Sequence, residues 1–271
     1  MTSAAVALLG LPTDVNSSFL RGPAKGPAAI RAALASDHAN LATEAGLDLG
    51  DPAILRDAGD LALTETPADL DLIADGVAAL MAEGSAALCL GGDHFVTWPI
   101  LEGLRRAGLA PPHIVHVDAH PDLYPDFDNN PHSHASPFAR IFENGLATSL
   151  TQVGIRTATA VQRAQIARYG VAAFSARQVR EALARLPAGP TYVSIDLDGL
   201  DPAYAPGVSH HEPGGLSVRE VLDLIDALPG PVLAADIVEL NPDRDINGMT
   251  ATVAAKLAKE LCGRMAADRG R

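Results

Sequence analysis

Eight short apolar runs, at residues 4–10, 54–58, 86–90, 113–117, 150–154, 171–174, 191–197 and 232–238, punctuate the chain. Most are nearly unbroken in Val, Ile, Leu and Ala, as strands covered on both faces require. Between most of them, stretches at 27–34, 68–82, 96–107, 160–169, 176–186, 218–228 and 249–266 carry apolar residues at helical spacing. Few folds accommodate this alternation. It predicts one α/β domain over residues 1–271, three layers deep, with a mainly parallel sheet of about eight strands and helices on both faces. An apolar content of 48% supplies the core, and no linker, repeat or low-complexity tract divides the chain.

The carboxyl ends of four strands carry the chemistry. In HIVHVDAHPDLY (113–124) an apolar strand runs straight into Asp118, His120 and Asp122. Residues two apart in extended chain point to the same side, so these three project together. The run at 86–90 ends in Gly91-Gly92-Asp93-His94, that at 191–197 carries Asp196 and Asp198, and that at 232–238 delivers Glu239. Open parallel sheets bind ligands at the carboxyl ends of their strands. Any one acid there reads equally well as turn chemistry, but four strands sending acids and histidines to one edge implies a site. Carboxylates and imidazoles without thiolates suit manganese, with zinc or nickel as alternatives. Two histidines and four aspartates exceed one ion's needs, which points to a pair of ions activating a water, and so to metal-assisted hydrolysis.

Composition narrows the partners. A net charge of −13 disfavours nucleic acid and anionic membranes and is compatible with a small cationic substrate. Cys89 and Cys262 lie far apart, and the N-terminal MTSAAVALLGLP has no basic n-region and too short an apolar run to span a bilayer. A cytoplasmic location is the expectation.

GGDH, HVDAHPD, SIDLDGLDP and DIVELNP resemble the signature motifs of the ureohydrolases, the arginases and agmatinases. The resemblance extends to NSSFLRGPAKGPAAI (16–30), SHASPFARI (133–141), AYAPGVSHHEPGGL (203–216) and residues 248–258, in the family's order, and is nearest in flavour to plant-type and bacterial arginases. It implies an arginase/deacetylase-like fold, two Mn²⁺ ions and a homo-oligomer, trimer or hexamer. It further implies that His94, Asp118, Asp122 and Asp196 hold one ion and His120, Asp118, Asp196 and Asp198 the other. His134 would be the proton shuttle, a role suited to imidazole. Asp198 would hold the proton of the attacking hydroxide. Glu239 would receive the guanidinium, whose planar fork pairs with a carboxylate.

The implied reaction is hydrolysis of a guanidino group to urea and an amine, with L-arginine to L-ornithine the first choice. Agmatine to putrescine, or another guanidino acid, is the alternative. Asn130 and Ser133 are the expected contacts to an α-carboxylate, while Tyr124 stands where agmatinases often carry tyrosine. A single-zinc deacetylase-like amidohydrolase and a non-catalytic scaffold are the readings from other classes; the intact second ligand set, His120 and Asp198, speaks against both. Of the other histidines, His116 is expected to support the site from behind, His132 to be an ordinary loop residue, and His210 and His211 to shape the pocket mouth or a subunit contact. Gly91 and Gly92 are expected to allow a tight turn, and Asp201-Pro202 reads as turn chemistry.

Overall fold

The structure, a computed structural model, describes residues 4–269. Strands β1 (Val6–Leu11), β2 (Leu55–Asp60), β3 (Ala86–Gly91), β4 (His113–Val117), β5 (Ser149–Val153), β6 (Ala172–Phe174), β7 (Thr191–Asp196) and β8 (Val232–Val238) form one sheet in the order β2-β1-β3-β8-β7-β4-β5-β6. Each corresponds to one of the apolar runs. Every pairing is parallel, so the sheet is more uniform than expected. The chain builds β1 to β3, leaves to lay down β4 to β6 outward, then returns to insert β7 and β8 between them.

The helices are α1 (Gly26–Leu34), α2 (Asp69–Ala82), α3 (Thr97–Arg106), α4 (Pro137–Glu143), α5 (Ala160–Tyr169), α6 (Val179–Leu183), α7 (Val218–Ala227) and α8 (Met249–Arg269). On one face Ile30, Val179, Leu224 and Leu257 pack on Leu8, Leu88, Val115, Ile195 and Ile237. On the other Ile73, Ile100 and Phe138 pack on Ala7, Leu9, Ile114 and Tyr192. Strand residues alternate between the two cores, as a sheet covered on both sides requires.

Two elements differ from the sequence reading. The helix expected at 176–186 is a 3₁₀ turn, Ala176–Gln178, followed by the short α6. Ser175 and Gln178 cap one another and tighten that first turn. Helix α4 went unforeseen because seven residues are too few to show a period, although Pro137 at its start is a helix-entry signal.

Register brings the functional strand ends level. Val117 pairs with Ile195, Ile195 with Ile237, and Ile237 with Leu90. One step beyond that row lie Asp118, Asp196 and the β8 end before Glu239. Gly92 closes the corner by close approach: a Cβ there would lie 1.7 Å from the Thr13 carbonyl oxygen. Asp93 N–H also donates to that oxygen, at 2.9 Å. Backbone on both sides leaves no flexible atom to yield. Gly92→Ala is therefore expected to cost at least about 2 kcal/mol, read as a lowered thermal midpoint; an unchanged midpoint would contradict this packing.

Candidate metal centre and active site

His94 follows β3 at the start of a 3₁₀ turn capped by Asp93, whose carboxylate accepts from Phe95 N–H. Its ring is buried, with a fixed tautomer. Ser194 Oγ–H donates to Asp236 Oδ1 at 2.7 Å, so His94 Nε2, 2.9 Å from Ser194 Oγ, carries a proton and donates to it. Thr97 Oγ1–H and Tyr192 O–H hold the other oxygen of Asp236. Nδ1 is thereby turned towards Asp122 Oδ2 at 3.0 Å, Asp196 Oδ2 at 3.2 Å and Asp118 Oδ2 at 3.3 Å, and it has no hydrogen-bond partner.

A second cluster adjoins the first. His120 Nδ1 lies 3.1 Å from Asp198 Oδ2 and 3.3 Å from Asp118 Oδ1. Asp118 thus points one oxygen into each cluster, the geometry of a bridging carboxylate. The resemblance also placed Asp196 in both sets, but here its Oδ2 faces His94 while Oδ1 accepts the Asp198 amide at 2.8 Å. Behind Asp118, Gln152 Nε2 donates to His116 Nδ1 at 3.1 Å and to Pro121 O at 2.7 Å. His116 must then carry its proton on Nε2, which donates to Asp118 Oδ2 at 2.8 Å. His116 therefore supports the site from behind.

The electrostatics call for cations. Burial disfavours the His94 cation, but the carboxylates of Asp118, Asp122 and Asp196 facing Nδ1 outweigh it and leave its pKa well above its usual value. Burial and repulsion from Asp198 and Asp118 raise Asp196, and burial and Asp118 raise Asp198 to about 7. A buried lone pair ringed by carboxylate oxygens is stable only around a positive charge, proton or metal. The donors present, two imidazole nitrogens and four carboxylates with no thiolate, fit a pair of borderline-to-hard divalent ions.

Across the cleft, His134 Nδ1 lies 2.8 Å from Glu239 Oε1, which also accepts His94 N–H at 2.9 Å. Burial lowers the His134 pKa, but Glu239 overcomes it and holds the ring at about 9. Glu239 (φ 65°) and Asp122 (φ 49°) both adopt left-handed backbone, where non-glycine residues are strained. His120, Asp122, His134, Asp196, Asp198 and Glu239 all line one cleft, together with Ser18, Tyr124, Thr157, Thr159, Gln162 and His210.

Two expected contacts lie elsewhere. Asn130 Nδ2 donates to Asn16 Oδ1 at 3.2 Å and its Oδ1 accepts His132 N–H, so the side chain ties two loops together. Ser133 is buried, and its Oγ accepts Ala135 N–H at 3.3 Å. Neither lines the cleft. Tyr124 does, donating to Thr159 Oγ1 at 3.0 Å. Sequence reasoning missed Ser18, whose backbone and hydroxyl both reach His134, and Thr159, the N-cap of α5; the T-A-V-Q capping pattern was the legible signal for the latter. His210 stands at the pocket mouth against the rings of Phe19 and His134, His132 stacks on Phe95, and Asp201 accepts three backbone N–H groups in a turn.

Fold and site together define an α/β enzyme built around a carboxylate–imidazole metal centre at the strand ends. The Arginase family model matches residues 4–263, and the chain belongs to the arginase family, whose members are metal-dependent amidinohydrolases. It is 45% identical over 278 residues to "Arginase 1, mitochondrial" of Oryza sativa subsp. indica, covering 97% of this chain and 82% of that protein. An agmatinase of Bacillus anthracis is 32% identical over 274 residues, covering 94% and 90%. The solved arginase of Medicago truncatula superposes with a TM-score of 0.92 at 42% identity, covering 97% of this chain and 88% of that one. The cytoplasmic expectation is corrected: plant arginases 43–45% identical to this chain are named mitochondrial, one of them chloroplastic/mitochondrial. Cysteine usage and an apolar N-terminal run speak to redox state and bilayer spanning, not to organelle.

Two outcomes are expected. In metal-free protein Asp198 has a folded pKa of about 7 against 3.8 for the free side chain, so the folded state binds the extra proton. Its contribution is present below about pH 4 and lost as pH rises through about 7. The metal-free thermal midpoint should fall between about pH 4 and 7, and the stabilisation by added metal should grow over that window; a metal increment independent of pH would contradict the charge arrangement. Glu239→Gly should be more stable than Glu239→Ala by about 1 kcal/mol, because only glycine adopts left-handed backbone freely. Equal stabilities in denaturant unfolding would mean the backbone there is unstrained.

Proposed function

We propose that this protein hydrolyses L-arginine to L-ornithine and urea with two manganese ions, held by His94, Asp118, Asp122 and Asp196 and by His120, Asp118 and Asp198. The observation that carries the substrate is the 45% identity to plant arginases along 97% of the chain, against 32% for an agmatinase. What supports the metals is the pair of adjoining ligand clusters sharing Asp118. When bound, such ions supply Lewis-acid activation of a water at neutral pH.

The chain's own residues do the rest. Both bonds to Glu239 use Oε1, which leaves Oε2 for the substrate guanidinium. That contact sets the guanidinium carbon beside the two clusters, and orientation of this kind is a large part of the rate. Asp198 takes the proton of the hydroxide that attacks the guanidinium carbon and returns it to the side-chain nitrogen as that bond breaks. The C–N bond to the side-chain nitrogen breaks, urea leaves, and His134, cationic near neutrality beside Glu239, protonates the departing amine. The same proposal includes a homo-oligomer, trimer or hexamer.

One observation favours agmatine as a second reading. Tyr124 and Thr159 line the cleft while Asn130 and Ser133 do not, and among the described residues no lysine or arginine lines it to meet a carboxylate. Urea release from manganese-loaded protein, with arginine and agmatine side by side, decides between them. A preference for arginine is expected, and a preference for agmatine would overturn the substrate assignment. Asp196→Ala should lose bound metal and activity together; a fully active variant would sink the metal scheme.

A further inference from the structure

Residues 14–24 form a strap that reaches the cleft at Ser18 and is tied down along its length. Asp14 Oδ2 accepts Gly22 N–H at 2.7 Å and Ala24 N–H at 3.1 Å. Asp93 Oδ2 accepts Asn16 N–H at 2.8 Å, Asn16 O accepts His134 N–H at 3.1 Å, and Ser209 Oγ–H donates to Leu20 O at 3.0 Å. At its centre Ser18 meets His134 twice: its N–H donates to Nε2 at 3.1 Å, and its Oγ lies 2.9 Å from the same nitrogen. The backbone donor cannot turn away, whereas the hydroxyl can.

We propose that Ser18 is the positioning residue of the His134 proton shuttle, fixing the ring with its amide and exchanging the Nε2 proton through its hydroxyl. This rests on the amidinohydrolase reading above. With Nε2 unprotonated, the Ser18 amide and hydroxyl both donate to its lone pair, while Nδ1–H donates to Glu239. When Nε2 is protonated, Oγ rotates to accept and the amide is left facing an N–H, which opposes the cationic ring that Glu239 favours. The amide thus pulls against Glu239 and eases release of the proton from a ring that Glu239 holds cationic. In each turnover the Nε2–H bond breaks as its proton passes to the departing amine. Nε2 then takes the proton of Ser18 Oγ–H while Oγ takes one from solvent, replacing the proton released by the water consumed. The charged and titratable groups facing the ring are Glu239 after β8, Asp93 after β3, Asp122 after β4 and His210 from the loop before α7.

Ser18→Ala keeps the amide and removes the hydroxyl; Ser18→Thr keeps both. In manganese-loaded protein Ser18→Ala is expected to lower kcat about tenfold, a fraction of the 10²–10⁴ typical of a whole general acid. KM and metal content should stay within about twofold of the parent. The alkaline limb of the kcat profile should move to lower pH, since the imidazolium loses an acceptor, and Ser18→Thr should restore both. An unchanged kcat and pH profile, or a loss confined to KM, would overturn the proposal. A second readout needs neither metal nor turnover: the ¹⁵N resonance of His134 Nε2 in metal-free protein should move in Ser18→Ala and return in Ser18→Thr. A still resonance overturns the Ser18 contact itself, whereas absence of urea from the parent protein overturns only the reaction assignment.

Discussion

The repulsion among Asp118, Asp122, Asp196 and Asp198 is the constraint to which the rest of the molecule answers. Four carboxylates with almost no solvent exposure, three of them around one imidazole nitrogen, are tolerable only with positive charge among them. A folded chain gains nothing in stability from such a cluster. The sheet, the strap and the buried hydrogen bonds behind the histidines are best understood as what holds these oxygens together when no ion is present.

The topology supplies that restraint cheaply in sequence terms. β7 and β8 return late in the chain to lie between β4 and β3, so four neighbouring strands end on one row. Each ligand then needs only to be the next residue or so beyond its strand. Orientation is set from behind by polar groups on the α2–α5 face: Ser194 and Asp236 fix His94, and Gln152 and His116 fix Asp118. These bonds decide which ring nitrogen carries a proton, and so which is free to ligate, as outer partners of metal-bound histidines do. A polar residue buried in a strand interior is here a sign of function one layer above it.

How much could be read beforehand follows from the range of the interactions involved. The strands and most helices were legible because their signal is periodic and local. The six proposed ligands were legible because strand-end position and two-residue spacing are backbone properties. Asn130 and Ser133 were less legible, since a polar loop residue can face a ligand or tie down its neighbour, and only the fold shows that Asn130 holds Asn16. Ser18 was hidden for the opposite reason. Its partner lies 116 residues away, and a serine in a loop carries no mark of the histidine above it.

On the proposed reading, the two ends of the substrate would meet different kinds of structure. The guanidinium end faces groups delivered by strand termini, where a shift of one residue would reverse every side chain, so the position of each is tightly determined. The far end faces Tyr124, Thr157, Thr159 and Gln162, carried on loops and on the start of α5. Loops tolerate replacement at little cost to the sheet. Within one architecture, then, that reading assigns the chemistry of the guanidino group to the core and leaves the choice between arginine and agmatine to a few neutral hydroxyl and amide groups lining the cleft. That division explains why the reaction class could be argued from strand ends, while the substrate needed the loops.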